Sequence, residues 1–338
     1  MALPQRSRTG GASASGVLAA VLALLLVGCG GSAADRGAPH ASASQTALPH
    51  ASAPESSGAA TAAPDRREQL RVDGRTRNYL LHRPAETAAG RGKPLVIAFH
   101  GRGSTPAELR ERSRFEADAR ARGMLIAYPE GLRKGWGAGT RATAQRPDPD
   151  LDVRFTEALV AHLVRTEGAD PERVYAVGFS NGGSMALRMA AERPALLAGA
   201  ASVSGQLPSG DAAVEPTGPV PVMVVYGADD PVRPLSGWAS PPARADEPIT
   251  PTRSARATAE AFAAAGGAGE PVTERERGYD RTVWRPTGRG GAEVELLVVH
   301  DAGHTWPGSD VTPPEGFGPT SQDLDATAAI LGFLTGGD

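Results

Sequence analysis

One cysteine in 338 residues excludes a small disulfide-stapled scaffold. Lysine is almost as scarce: Lys93 and Lys134 are the only two, so arginine carries the basic charge. Aromatic residues make up 5% of the chain, and 35 basic against 38 acidic residues leave a net charge of -3. That balance provides no bulk field to draw the protein onto nucleic acid, and no nucleic-acid partner is expected. No apolar run approaches the ~20 residues needed to cross a bilayer as a helix. Glycine and proline are plentiful, at 42 and 29, and the length suits one sizeable globular domain plus unstructured extras.

The lone cysteine closes an N-terminal pattern: Arg6 and Arg8, an apolar run from Val17 to Val27, then Leu26-Val27-Gly28-Cys29. This reads as a secretory signal over residues 1–28. Leu26 to Cys29 resembles the bacterial lipobox, which makes Cys29 the expected lipidation site and the membrane the expected partner through that anchor. The exported lipoprotein would face outward from the cell membrane. Residues 29–66 are almost entirely Gly, Ala, Ser, Pro, Thr and His and have no apolar period, so they read as a tether. His40 and His50 within it read as linker residues rather than metal ligands, and no metal or cofactor is expected anywhere in the chain.

The folded domain is expected over 67–338. It begins with a strand, an Asp73-Gly74 turn and a second strand through Arg77–Leu81, an antiparallel start. Short apolar runs then alternate with helical stretches: Leu95–Phe99, a helix over 106–122, Met124–Tyr128, a helix over 152–165, and Val174–Val177. Further runs are a helix over 183–193, Gly199–Val203, Val220–Tyr226, a helix over 253–265, Glu293–Val299 and a last helix over 321–334. Apolar strands separated by helices predict an α/β fold, a mainly parallel doubly wound sheet covered on both faces. The segments 233–251 and 307–319, rich in Pro and Gly, read as loops that shape a pocket mouth.

Gly178-Phe179-Ser180-Asn181-Gly182 stands between the strand Val174–Val177 and a helix-forming run. A G-x-S-x-G match means little in so glycine-rich a chain; its place at a strand-to-helix junction makes Ser180 the candidate nucleophile of a nucleophile elbow. Such a serine needs a base and an orienting carboxylate, in chain order Ser, Asp, His. Tyr226-Gly227-Ala228-Asp229-Asp230-Pro231 follows one strand and His300-Asp301-Ala302-Gly303-His304 follows another. Asp230 is preferred over Asp229 by its spacing from Gly227, and His304 over the strand-end His300. His100-Gly101-Arg102-Gly103 ends an earlier strand, where the second oxyanion donor arises in this architecture, so the backbone N–H groups of Arg102 and Asn181 are the expected pair. His100 itself reads as structural.

These residues together resemble the secreted polyhydroxybutyrate depolymerase and feruloyl esterase-like family of α/β-hydrolases. The resemblance runs through Leu95–Gly101, Tyr128–Gly131, Trp136, Asp152–Phe155, Gly178–Gly183, Gly227–Val232 and Gly303–Gly308. It implies an α/β-hydrolase fold, a triad of Ser180, Asp230 and His304, and hydrolysis of carboxylic esters, polymeric or derived from plant cell walls. Trp306 and Trp136 are the aromatic residues expected near an acyl or phenolic pocket. Tyr226 departs from the family's usual His before the acid motif, and the domain has none of the disulfides seen in many secreted relatives. Two other readings stand beside serine esterase: an acyltransferase that uses the same triad with a sugar acceptor, and an inactive surface-binding lipoprotein. The sequence leaves the oligomeric state open.

Overall fold

The computed structural model describes residues 66–84, 92–241 and 249–336, all within one compact unit, Gly58–Asp338. Cys29, the apolar run before it and the tether as far as residue 65 lie outside the described residues.

The antiparallel start is a hairpin of β1 (Arg66–Val72) and β2 (Arg75–His82). Asp73 and Gly74 both have positive φ, at 50° and 75°, as a two-residue turn matched to strand twist requires. The remaining strands are β3 (Lys93–Phe99), β4 (Leu125–Pro129), β5 (Ala169–Phe179), β6 (Gly199–Val203), β7 (Val222–Gly227), β8 (Val272–Glu276), β9 (Tyr279–Trp284) and β10 (Val294–Val299). They form one sheet in the order β1-β2-β4-β3-β5-β6-β7-β10-β9-β8. The six central strands from β4 to β10 run parallel. Antiparallel pairs flank them at both edges.

Among the described residues six α-helices cover the sheet: α1 (Pro106–Ser113), α2 (Phe115–Ala121), α3 (Leu151–Glu167), α4 (Asn181–Glu192), α5 (Ala255–Ala265) and α6 (Ala326–Thr335). The pleat sends alternate side chains to opposite faces, so Leu95, Ile97 and Phe99 of β3 join one core with Phe155 of α3, Leu187 of α4 and Phe262 of α5. Val96 and Ala98 join the other core with Leu109 of α1, Phe115 of α2 and Ile330 of α6. Two cores of this size account for a stable domain without crosslinks. The arrangement is the doubly wound, mainly parallel sheet that the alternating pattern predicts.

Three elements differ from expectation. The helix expected over 106–122 is broken at Arg114, which adopts φ 50° and lets Leu109 and Phe115 both reach the core. Helix α6 starts at Ala326 rather than near 321, because the Asp325 carboxylate accepts from the Ala328 N–H at 3.0 Å and caps it there. The hairpin β8–β9 is an unexpected addition at the sheet edge; β8 is exposed along its whole length and so shows no apolar alternation.

Candidate active site

Ser180, Asp230 and His304 leave the sheet just beyond the carboxyl ends of β5, β7 and β10, three strands that sit within four neighbouring places of the sheet. Open α/β sheets place their sites at this end. Ser180 holds φ 55° and ψ -117°, a strained conformation for a residue with a side chain, and its N–H is anchored to the Val203 carbonyl at 2.8 Å. The surrounding glycines permit that turn. A Cβ on Gly178 would fall 2.2 Å from the Gly182 carbonyl oxygen, and one on Gly182 would fall 2.1 Å from that of Phe99.

The Ser180 Oγ lies 2.8 Å from His304 Nε2, and His304 Nδ1 lies 2.7 Å from Asp230 Oδ2. The other Asp230 oxygen accepts from the N–H groups of Val232 at 2.9 Å and Arg233 at 2.7 Å. With both carboxylate oxygens accepting, the network assigns the His304 proton to Nδ1 and leaves Nε2 to accept from the serine hydroxyl. His304 is buried between two rings, Phe179 at 5.1 Å and Phe317 at 5.3 Å between centroids. Burial is the main cause that pushes its pKa below the usual 6.5; the Asp230 hydrogen bond opposes this, and the nearby Arg233 and Arg112 cations add to it. The imidazole is therefore neutral at pH 7 and can accept a proton. Asp229, by contrast, is exposed.

The loop after β3 is fixed to the elbow by a chain of contacts. His100 Nε2 accepts from the Gly131 N–H at 3.0 Å, and the His100 Nδ1–H donates to the Gly101 carbonyl at 2.8 Å. The Trp136 indole N–H donates to the His100 carbonyl at 2.9 Å. The Asn181 amide then closes the chain on Trp136, its Oδ1 accepting from the backbone N–H at 2.7 Å and its Nδ2 donating to the carbonyl at 3.1 Å. His100 is thus a structural hinge pin, as expected, and the Asn181 side chain is a strut that sequence reasoning missed. Gly101 lies against the elbow, with a Cβ there only 3.6 Å from that of Ser180, which brings the following Arg102 to the rim of the cavity. Asn181 is the first residue of α4, where a backbone N–H has no acceptor within the helix and the helix dipole is positive.

The cavity above Ser180 measures about 890 Å³. Both proline-rich loops contribute to it as expected, through Arg233, Trp238, Ile249 and Thr250 from one and Thr312, Pro314 and Phe317 from the other. Trp136 borders it, but the side chain is 1% exposed and its polar edge is used on His100. Trp306 does not line it, a correction to the expected aromatic pocket. Its indole N–H donates to Thr327 Oγ1 at 3.0 Å, and its ring packs edge-on against Phe115 in the core beneath α6. Tyr226 is likewise a packing residue whose hydroxyl donates to the Arg233 carbonyl at 3.0 Å and pins the loop carrying Asp230. Among the described residues no cluster of His, Cys, Asp and Glu could hold a metal ion.

Comparison with known proteins gives a consistent result. A family model described as "Putative esterase" matches residues 72–288. The chain is 44% identical over 279 residues to "Putative esterase NocK" of Nocardia uniformis subsp. tsuyamanensis, covering 79% of this chain and 81% of that protein. It is 25% identical over 235 residues to feruloyl esterase B of Piromyces equi, covering 68% of this chain but only 42% of that protein. Among solved structures, Thermogutta terrifontis esterase 2 phosphoramylated by tabun superposes with a TM-score of 0.50 at 16% identity, covering 80% of this chain and 94% of that one. This last similarity speaks for the fold alone.

Proposed function

The chain belongs to the esterase family and is a serine esterase of α/β-hydrolase fold, and on that premise we propose that Ser180, His304 and Asp230 are its catalytic triad. The observation that carries the proposal is the unbroken relay from Ser180 Oγ to His304 at 2.8 Å and on to Asp230 at 2.7 Å. His304 Nε2 takes the hydroxyl proton as Ser180 Oγ attacks the ester carbonyl carbon, and the carbonyl π electrons move to oxygen. The backbone N–H groups of Arg102 and Asn181 receive that oxyanion; one such donor is typically worth about 3 kcal/mol of barrier. Collapse expels the alkoxide, which leaves as an alcohol with the proton from His304. Water then repeats the sequence on the acyl-enzyme, activated by the same imidazole, and releases the carboxylic acid.

Carboxylic esters of the kind cleaved by feruloyl esterases and polyhydroxybutyrate depolymerases are the proposed substrate class, supported by the motifs from Leu95 to Gly308 and by the feruloyl esterase named among the relatives. Attachment to the outer face of the cell membrane through Cys29 is part of the same reading and is supported by Leu26–Cys29. The test of the triad is initial rates on p-nitrophenyl butyrate and methyl ferulate with the purified protein and Ser180→Ala. Turnover is expected to vanish in the variant while its thermal melting stays within a few degrees. Residual turnover above one-tenth of wild type would remove Ser180 from the nucleophile's place.

A further inference from the structure

Among the described residues, the cavity over Ser180 is bordered by five arginines, Arg102, Arg112, Arg141, Arg146 and Arg233, and by one carboxylate, Glu108. This excess is local, since the whole chain has a net charge of -3. Arg146 is paired with the buried Asp152 at 2.9 Å and Arg141 with Asp211 at 2.9 Å. Arg112 and Arg233 are not. Among the described residues neither forms an ion pair. The Arg233 guanidinium, with five N–H donors, donates to the neutral Ser184 Oγ at 3.1 Å, its one hydrogen bond among the described residues. The Arg112 guanidinium lies 4.7 Å from the centre of the Phe179 ring. Glu108 sits one turn before Arg112 on α1, but its carboxylate is turned away to accept from Ser104 Oγ at 2.7 Å and the Thr105 N–H at 2.9 Å in the helix cap.

Both cations stand beside the triad in the lining of one cavity. Arg233 is held next to Asp230 by its own backbone, and Ser184, its side-chain partner, lies one helical turn beyond Ser180. Arg112 covers the Phe179 ring that packs against His304. Both are partly buried and partly desolvated, and both carry a depressed pKa caused by that burial. Arginine cannot escape the cost of desolvation by losing its proton at neutral pH, so such a pair is stabilised when an anion completes it.

We propose that Arg233 and Arg112 bind an anionic group of the substrate, so that the enzyme selects esters carrying a carboxylate over neutral esters of the same shape. This rests on the reading of Ser180 as the nucleophile. The carboxylate can reside in the acyl half or in the alcohol half of the ester, and matched pairs separate the two: mono-p-nitrophenyl glutarate against its methyl ester, and 4-acetoxybenzoate against methyl 4-acetoxybenzoate.

The readout is the ratio of kcat/KM for the anionic member to that for the neutral member within each protein, so that any loss common to both cancels. A ratio of tenfold or more is expected in one pair for the wild type, about 1.4 kcal/mol. It should fall toward one in Arg233→Gln and Arg112→Met together, and partly return in Arg233→Lys. A ratio under threefold in both pairs, or one that survives in the double variant, overturns the proposal. Calorimetric binding of the intact esters to Ser180→Ala decides the same point without turnover, with tenfold tighter binding of the anionic member expected and equal binding refuting it. If the wild type cleaves no ester while Ser180→Ala still prefers the anion, the catalytic reading fails and the anion site stands.

Discussion

Replacing Asp230 by asparagine changes one oxygen to an NH₂ group at almost constant volume, yet the hydrogen bonds around it leave only one way to place that group. One carboxylate oxygen already accepts from two backbone N–H groups, those of Val232 at 2.9 Å and Arg233 at 2.7 Å. The amide oxygen must take this place, because the NH₂ would face two donors there. The NH₂ is then directed at His304 Nδ1, 2.7 Å away in the native chain. Two donors cannot share that contact, so Nδ1 becomes the acceptor and the ring proton moves to Nε2, where it faces the Ser180 hydroxyl. A base in that tautomer cannot take the serine proton. The expected loss in kcat is about 10⁴-fold, about 5.5 kcal/mol of transition-state stabilisation. Initial rates on p-nitrophenyl butyrate would measure it, with thermal unfolding as the control for folding. Asp229→Asn is the matched comparison; Asp229 is exposed, and its backbone N–H bond to Ala302 is untouched by the change, so activity should stay within twofold of wild type. An Asp230→Asn enzyme within tenfold of wild type, or equal damage at Asp229, would refute the assignment and the tautomer argument together.

Two further outcomes follow from the same geometry. His304 must be neutral to act, and burial lowers its pKa, so kcat/KM on a neutral ester should fall on the acid side with a midpoint below 6.5, and Arg112→Met, which removes one of the lowering charges, should move that midpoint upward; a wild-type midpoint above 7 contradicts this. Asp152 is fully buried and accepts from Arg77 Nη2 at 2.8 Å, Arg146 Nε at 2.9 Å and the Gly137 N–H at 2.8 Å, so Asp152→Asn, which strips the charge from two buried guanidinium partners, should cost about 3–5 kcal/mol in urea unfolding, and a loss under about 1 kcal/mol would show the cluster to be unimportant.

The parallel core of the sheet was legible because strands such as Leu95–Phe99 and Val222–Tyr226 are buried on both faces and appear as unbroken apolar runs. The elbow was legible because its glycines are required by close approach: Gly182 comes within van der Waals contact of β3, and no other residue fits. What escaped reading had no local signal. Arg114 breaks a helix without glycine or proline nearby, and β8 is an exposed edge strand whose polar sequence does not alternate. Trp306 follows His304 by two residues, but the chain turns so that its indole reaches Thr327 on α6 and leaves the cavity to Phe317. The strut from Asn181 to Trp136 joins residues 45 positions apart, and only the packed fold brings them into contact.

Arginine serves two opposed purposes in this domain, and the contrast explains how the cavity can be both rigid and charged. Arg77, Arg146 and Arg188 are almost wholly buried, and each is answered by carboxylates or carbonyls; Arg188 alone reaches Asp150, Glu192 and the carbonyls of Gly137, Gly139 and Pro149. Together they fasten the segment from Gly135 to Asp152, which lines part of the cavity, and there a planar guanidinium with five donors does what no lysine could. Arg112 and Arg233 keep the same chemistry on the cavity wall, and among the described residues neither is closed by an ion pair. There they bear on two steps at once. In the free enzyme their charge lowers the proton affinity of His304, and an anion bound to them would offset that charge. The imidazole would then be a stronger base with the ester in place than without it, so the side chains that select the substrate would also time the activation of Ser180.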